Sequence, residues 1–522
     1  MGRAQGWFSY GPAPSRMPRA YASYTELSSP TEPPQREGPE LADLRRLVRR
    51  AVRGTVSYAR APERPTLGSI LTDHLGLGGA SGGAVEAVPV SAREWAAYEH
   101  VNVQVGLDAW LAEHEGAVRT VGVVGFQHRD FGLAELLTSQ DGYGLGPGSV
   151  ARVALPSGPG GQTVSCVRCA LFLLTEEHRR TALLLRGGDS EMGRPSITLE
   201  AASTDPDAGE ETLAELDRLV NQHNVFRRQV LSFGGDVFGP ASILHFHERP
   251  TTTRRDLVLD AATIGAIEQQ VVGVARHRQR LLGAGQHLKR GILLYGPPGV
   301  GKTHTVRYLT STLGDTTVIQ VTGEALQLIR QACQVARSLQ PSLVVVEDVD
   351  LIAEERGMEP GMHPLLFQLL NEMDGLEEDA DVAFVLTTNR ADLLEPALAA
   401  RPGRVDQAVE LRLPDRAARR QLFDLYRGDL QLDLPEAELE AALERCAGVT
   451  ASFLKELLRR TALHAAERSS GDGSLTVTGP DLTAALDELL DSRNRMTRAL
   501  LGSAGADPSE AGGGPEDRTG PV

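Results

Sequence analysis

The sequence predicts an α/β fold: a parallel, helix-covered sheet over residues 251–414, a helical subdomain over 415–495, and an α+β domain over 65–250 ahead of both. Three observations predict it. Short apolar runs alternate with helical stretches between residues 251 and 414, as strands buried on both faces do. One of those runs, residues 291–295, enters a glycine-rich loop and then a helical stretch. From residue 415 onward the pattern is helical, and the last helix opens with Gly479-Pro480-Asp481, where proline suits a first turn.

The α+β region holds a helical stretch at 92–114 and β-like runs at 121–126, 150–155, 163–174 and 181–186. Turn-forming segments between those runs suggest hairpins, and a helix follows at 211–223. Residues 1–64 read as a largely disordered leader, residues 76–83 as a glycine-rich linker, and residues 496–522 as a disordered tail. The chain has 522 residues, which at roughly 100–200 residues per domain suggests about three domains.

Composition excludes several classes. No run approaches the ~18 apolar residues of a membrane span, and with no apolar h-region near residue 1 no secretory signal is expected. Four cysteines do not make a disulfide framework, so a reducing, cytoplasmic setting is expected. The net charge of −16 argues against a nucleic-acid partner. Cys166-Val-Arg-Cys169 is a lone pair inside a β-like run, and the expectation is structural thiols rather than zinc.

The chemistry begins at Gly296-Pro297-Pro298-Gly299-Val300-Gly301-Lys302-Thr303. This is G-x-x-x-x-G-K-[ST] between a strand and a helix, the context in which the motif binds phosphates. Glycines let successive backbone N–H groups turn toward an anion, and the helix N-terminus adds its positive end. Lys302 is expected to reach the β/γ-phosphates and Thr303 to ligate Mg²⁺, with His304 completing the nucleotide-binding segment. Only three of the 53 basic residues are lysine, and of these Lys302 stands where a compact ammonium is required; Lys289 and Lys455 have no assigned role. About 45 residues later the apolar run 343–346 ends in Glu347-Asp348. Paired acids there suit one metal-binding carboxylate and one that polarises the attacking water.

With these motifs in order, residues 260–490 resemble the AAA family of ATPases, especially its protein-remodelling branch. Pro341-Ser342, Asp350, Phe367-Gln-Leu-Leu-Asn-Glu-Met-Asp-Gly375, the run 383–390 bearing Asn389, and Ala399-Ala-Arg401-Pro-Gly-Arg404-Val-Asp406 carry the resemblance. Gly448-Val-Thr-Ala-Ser-Phe453 looks like the start of the family's lid helix. The fold implied is a P-loop NTPase sheet with a helical AAA lid. The resemblance also implies ATP and Mg²⁺ as ligands, Asn389 as the polar sensor, and Arg401 and Arg404 as fingers reaching a neighbour's nucleotide. Fingers supplied in trans imply a homo-oligomeric ring, typically a hexamer.

Three features depart from the family. The acids run Glu-Asp rather than Asp-Glu, which would put Glu347 on the metal and Asp348 on the water. A related mitochondrial inner-membrane translocase has the same order. Residues 323–341 are about ten residues shorter than in threading members, and Ala325-Leu-Gln-Leu-Ile329 contains no aromatic pore residue. Ala451 stands where a glycine is common, and no lid arginine is evident there. No H-E-x-x-H zinc motif occurs in the 522 residues. The reading is a cytoplasmic ATPase that remodels a protein client chosen by the N-terminal domain. The alternative is a nucleotide-dependent switch or scaffold with little turnover.

Overall fold

The computed structural model describes residues 65–78, 82–138, 144–188, 196–235, 242–350, 364–377, 379–392, 405–469 and 475–491. The expected leader and tail lie outside them, as do Arg401 and Arg404.

The first sheet follows two short helices, α1 (Leu67–His74) and α2 (Gly82–Glu86). Its strands are β1 (Val90–Ala96), β2 (Val118–Val124), β3 (Gly146–Gly148), β4 (Ala151–Pro156), β5 (Thr163–Thr175), β6 (Arg180–Arg186) and β7 (Ser196–Ser203). All are antiparallel in the order β1-β7-β6-β5-β2-β3, with β4 on the first half of β5. Helices α3 (His100–Glu113), α4 (Leu133–Thr138) and α5 (Pro206–Gln222) complete the layer set. Phe172 and Leu185 face Leu107 and Trp110 of α3 and Leu216 of α5, whereas Leu171 and Leu184 face Leu71 of α1 and Leu136 of α4. α5 starts where it does because Asp205 caps the Asp207 amide and Pro206 takes the first turn.

Residues 92–96, expected to open a helix, instead form most of β1. β1 is an edge strand with mostly exposed residues, so the alternation that marks a half-buried strand is missing from its sequence. Cys166 and Cys169 are buried thiols outside any disulfide, in different apolar clusters, and burial pushes the Cys166 thiol up to about 11. Among the described residues no group of three or more His, Cys, Asp or Glu is placed to hold a metal.

The second sheet contains β8 (Val230–Gly235), β9 (Ser242–His247), β10 (Arg290–Tyr295), β11 (Thr317–Val321), β12 (Ser342–Val346), β13 (Val382–Thr388) and β14 (Gln407–Glu410). Its order is β14-β10-β13-β12-β11-β8-β9, parallel throughout except for the β8–β9 hairpin at one edge. This corrects the boundary expected at residue 250: β8 and β9 extend the second sheet rather than closing the first. An apolar strand carries no local mark of the sheet it will join, so the shift was invisible in the sequence. The two sheets share a core, in which Val101 and Cys166 pack with Leu231, Phe233 and Leu244.

Helix α6 (Ala261–Glu268) passes through a π-turn at Gln269–Gly273 into α7 (Val274–Gly283). α8 (Lys302–Thr312), α9 (Ile329–Ser338) and α10 (Pro364–Asp374) connect the later strands. The lid contains α11 (Arg416–Arg427), α12 (Glu436–Arg445), α13 (Ala451–Arg468) and α14 (Gly479–Leu490) around Phe423, Phe453, Leu457 and Leu486. It also contains a small parallel pair, β15 (Gln431–Asp433) with β16 (Thr476–Thr478), which the helical pattern did not announce. Among the described residues no helix is long and apolar enough to cross a membrane.

The start of α14 is fixed by Asp481. Its Oδ2 accepts from the Thr478 backbone N–H at 2.9 Å, the Thr478 hydroxyl at 2.7 Å and Arg468 Nη2 at 2.9 Å. Arg468 and then Thr478 hold the carboxyl down from 3.8 to about 2. A depressed carboxyl stabilises fully above its unfolded value and loses that contribution as pH falls through the folded one. Asp481→Asn is therefore expected to cost the lid about 1–2 kcal/mol at neutral pH, read as faster hydrogen exchange in α14. The difference from wild type should vanish in strong acid, once pH lies below about 2.

Candidate functional site

The strand register assembles the site. β10 and β12 each pair with β13, with Tyr295 beside Thr388 and Val346 beside Leu386. The glycine-rich loop, the Glu347-Asp348 pair and Asn389 follow those three strands directly, so one edge of the sheet carries all three. In parallel sheets the carboxyl ends of the strands are where ligands bind.

The loop spans residues 296–301 between β10 and α8. Gly299 and Gly301 have φ of 82° and 110°, the left-handed region that favours glycine. A Cβ at Gly296 would lie 2.2 Å from the Leu411 carbonyl oxygen, so any side chain there would displace backbone. Val300 is buried and anchors the loop in the core, while Pro297 and Pro298 are exposed. His304 turns away from the loop, its Nε2 2.9 Å from the Asp256 carbonyl oxygen.

Lys302 is 7% exposed, and its ammonium uses all three protons. They go to Gly296 O at 2.7 Å, Pro297 O at 3.0 Å and Asn389 Oδ1 at 2.8 Å. Burial lowers the Lys302 pKa, while the charges of Asp348 and Asp350 pull the other way. Asn389 then donates from Nδ2 to Asp348 Oδ1 at 3.4 Å. One amide side chain thus links the loop lysine to the second acid.

The two acids sit differently. Glu347 continues the ladder, its N–H donating to Val321 O at 3.3 Å. Burial raises its carboxyl above the usual range and the neighbouring Asp348 adds to this, while a hydrogen bond with Thr303 opposes both. Asp348 takes φ of 52°, a left-handed conformation that aspartate tolerates better than most residues. This turns the chain out of the ladder and leaves Asp348 exposed beside Asn389. Thr303 and Glu347 offer a hydroxyl and a carboxylate side by side. That hard-oxygen pair fits Mg²⁺, which takes one or two protein carboxylates and completes its shell with water and phosphate.

Several residues that brace the site were not singled out as site residues. Asp350 is buried and accepts from the Thr388 hydroxyl at 2.8 Å and the Asn389 N–H at 3.2 Å, which orients Asn389. Thr387 accepts at Oγ1 from the Asp348 N–H at 3.1 Å. Ser452, at the start of α13, donates from its N–H to Gly299 O at 3.2 Å, so the lid touches the loop directly. Only the resemblance gave Asp350 a place, and nothing local marks the two threonines inside a buried strand. The segment lacking a pore aromatic forms a short 3₁₀ turn, Gly323–Leu328, with Ala325 and Leu326 in the core.

Residues 292–413 match the family described as "ATPase family associated with various cellular activities (AAA)". The Sphaerobacter thermophilus ATP-dependent zinc metalloprotease FtsH 3 is 34% identical over 266 residues, 48% of this chain and 53% of that protein. The Dictyostelium discoideum 26S proteasome regulatory subunit 6B homolog is 33% identical over 193 residues, 34% of this chain and 47% of that protein. The Thermococcus gammatolerans proteasome-activating nucleotidase is 28% identical over 274 residues, 50% of this chain and 67% of that protein. The chain thus spans about half the length of the first two relatives. Residues 292–413 thus carry an AAA domain.

Proposed function

We propose that the chain is an Mg²⁺-dependent ATPase that acts in a ring of like subunits on a protein client. The observation that carries this reading is the meeting of Lys302, Thr303, Glu347, Asp348 and Asn389 at the ends of three adjacent strands. The loop amides and Lys302 bind the phosphates of ATP. Thr303 and Glu347 would hold Mg²⁺, which when bound would neutralise charge on the phosphate oxygens. Asp348 would polarise the attacking water, and Asn389, which Asp350 holds and which donates to Asp348, would position that water against the γ-phosphate. Arg401 and Arg404 serve as fingers from a neighbouring subunit. Relatives named for the proteasome and for proteolysis support a protein client, chosen here by the domain built on the first sheet. The buried apolar residues of 323–328 do not favour stepwise threading by an aromatic pore loop. Buried thiols outside any disulfide suit a cytoplasmic setting. A slow switch is the second reading, favoured by the shorter Asp348 in the water-facing position.

Lys302→Ala is expected to lower steady-state phosphate release at least about 100-fold and to abolish tight nucleotide binding. A wild type no faster than this variant would leave only the switch reading. Mg²⁺ affinity, measured as the metal's effect on binding of a fluorescent nucleotide, should fall on passing from neutral to mildly acidic pH. The sign follows from Glu347: its carboxyl is raised, so protons compete with the metal above the ordinary carboxylate range. Glu347→Gln should weaken the metal's effect and flatten that pH dependence. Mixing Arg404→Ala subunits with Asp348→Asn subunits should restore part of the activity that each lacks alone, since a mixed interface can pair an intact finger with an intact acid. Failure to recover at every mixing ratio would contradict fingers in trans.

A further inference from the structure

We infer that the opposite end of the second sheet carries a binding site for a phosphate-bearing anion, separate from the nucleotide loop. Residues 269–314 contain no aspartate or glutamate, although the whole chain carries −16. The first part of that stretch forms α7, and Arg276, Arg278 and Arg280 line a cavity of about 560 Å³ against residues 312–316, Pro341 and Asp381. A second cavity of about 190 Å³ shares Arg278, Asp315 and Pro341 with the first and adds Arg227 and Arg228. Thr317, Ser342 and Val382 begin β11, β12 and β13, so this concavity lies at the strand ends remote from Lys302.

The charges here are unbalanced. Several arginines elsewhere close tightly on acids, as in Arg186–Glu200 at 2.6 Å, Arg416–Glu440 at 2.8 Å and Arg445–Asp487 at 2.6 Å. Among the described residues Arg276 and Arg280 have no ion-pair partner. Two acids face the concavity. The Asp315 side chain is 92% exposed and lies 3.8 Å from that of Arg228, itself 71% exposed, a contact that solvent weakens. Asp381 is buried and spends its Oδ1 on buried Arg290 at 2.9 Å. Its Oδ2 lies 3.8 Å from Arg278 Nη1 and makes no hydrogen bond, so the Arg278 fork retains its donors. Arginine forks bind phosphate oxygens bidentately, and several on one concave wall suit a multivalent anion better than a lone carboxylate. A cavity of this size admits a polyphosphate or a phosphorylated side chain and excludes a duplex.

The test uses the full chain carrying Lys302→Ala, so that the nucleotide loop contributes little. Calorimetric titration with inorganic tripolyphosphate, and in parallel with a phosphoserine peptide, should show one site for at least one probe. Arg276→Gln with Arg280→Gln should weaken that binding about tenfold or more. Both side chains are exposed, so the melting temperature should hold, and with Lys302 intact nucleotide affinity should hold as well. Tighter tripolyphosphate binding would assign a free anion to the site, and tighter peptide binding a phosphorylated protein. Arg254→Gln with Arg255→Gln is the charge-matched control and should leave binding unchanged. No binding of either probe, binding unmoved by the Arg276 and Arg280 substitutions, or equal loss in the control pair would overturn the site.

Discussion

β10, β13 and β12 run parallel and in register, and the meeting of Lys302, Glu347, Asp348 and Asn389 depends on where those three strands end. β12 and β13 are buried along their whole length, so their backbone groups have no water to fall back on if pairing shifts. A slip of one residue would also exchange the two faces of a strand between the α6–α8 side and the α9–α10 side. The register is therefore held far more firmly than the loops that follow it. Those loops can then hold conformations that the chain would otherwise avoid, such as the left-handed Asp348 and the turn at Gly299. Asp350 and Thr387 complete this by fixing Asn389 and Asp348 from below.

The parts of the site that could be read from the sequence are those with local causes. A loop that must expose consecutive amides needs glycines at fixed spacing, and a following helix must begin at once, so 296–304 is legible by itself. An apolar run ending in two acids is legible in the same way. The parts that could not be read are set by distant partners. Nothing in 230–247 says that β8 will lie beside β11, and nothing in 90–96 distinguishes an exposed edge strand from a helix start. The bracing hydroxyls of Thr387 and Thr388 are threonines in a strand, where threonine is common for other reasons.

The displaced boundary changes how the two sheets relate. With β8 and β9 in the second sheet, Tyr98 meets Phe233 edge-to-face at 5.8 Å, and Asn102 accepts from the Val225 N–H at 2.8 Å. The first sheet is thus joined to the second through shared apolar packing rather than through a free linker. Just past β9, Arg249 donates to the carbonyls of Thr310 and Leu313 at the end of α8, and to those of Arg228 and Thr316. A guanidinium is suited to this because its planar fork can serve several acceptors at once. The segment that follows β9 is thereby tied to the far end of the helix whose first residue is Lys302.

The loop is gripped from the other side as well. Thr450 caps α13 through the Phe453 amide, and Ser452 donates to Gly299 O one residue into that helix. A Cβ at Gly299 would come within 2.9 Å of Ser452 Oγ, so the approach of the lid requires glycine for space as well as for its backbone angle. The same few residues between β10 and α8 therefore carry contacts to the lid, to the end of β13 through Lys302 and Asn389, and through α8 to Arg249. A ligand that rearranges those residues must alter at least one of these three attachments. Each attachment is a small set of hydrogen bonds, individually worth about 1 kcal/mol, so a phosphate-sized change in electrostatics is large enough to shift them.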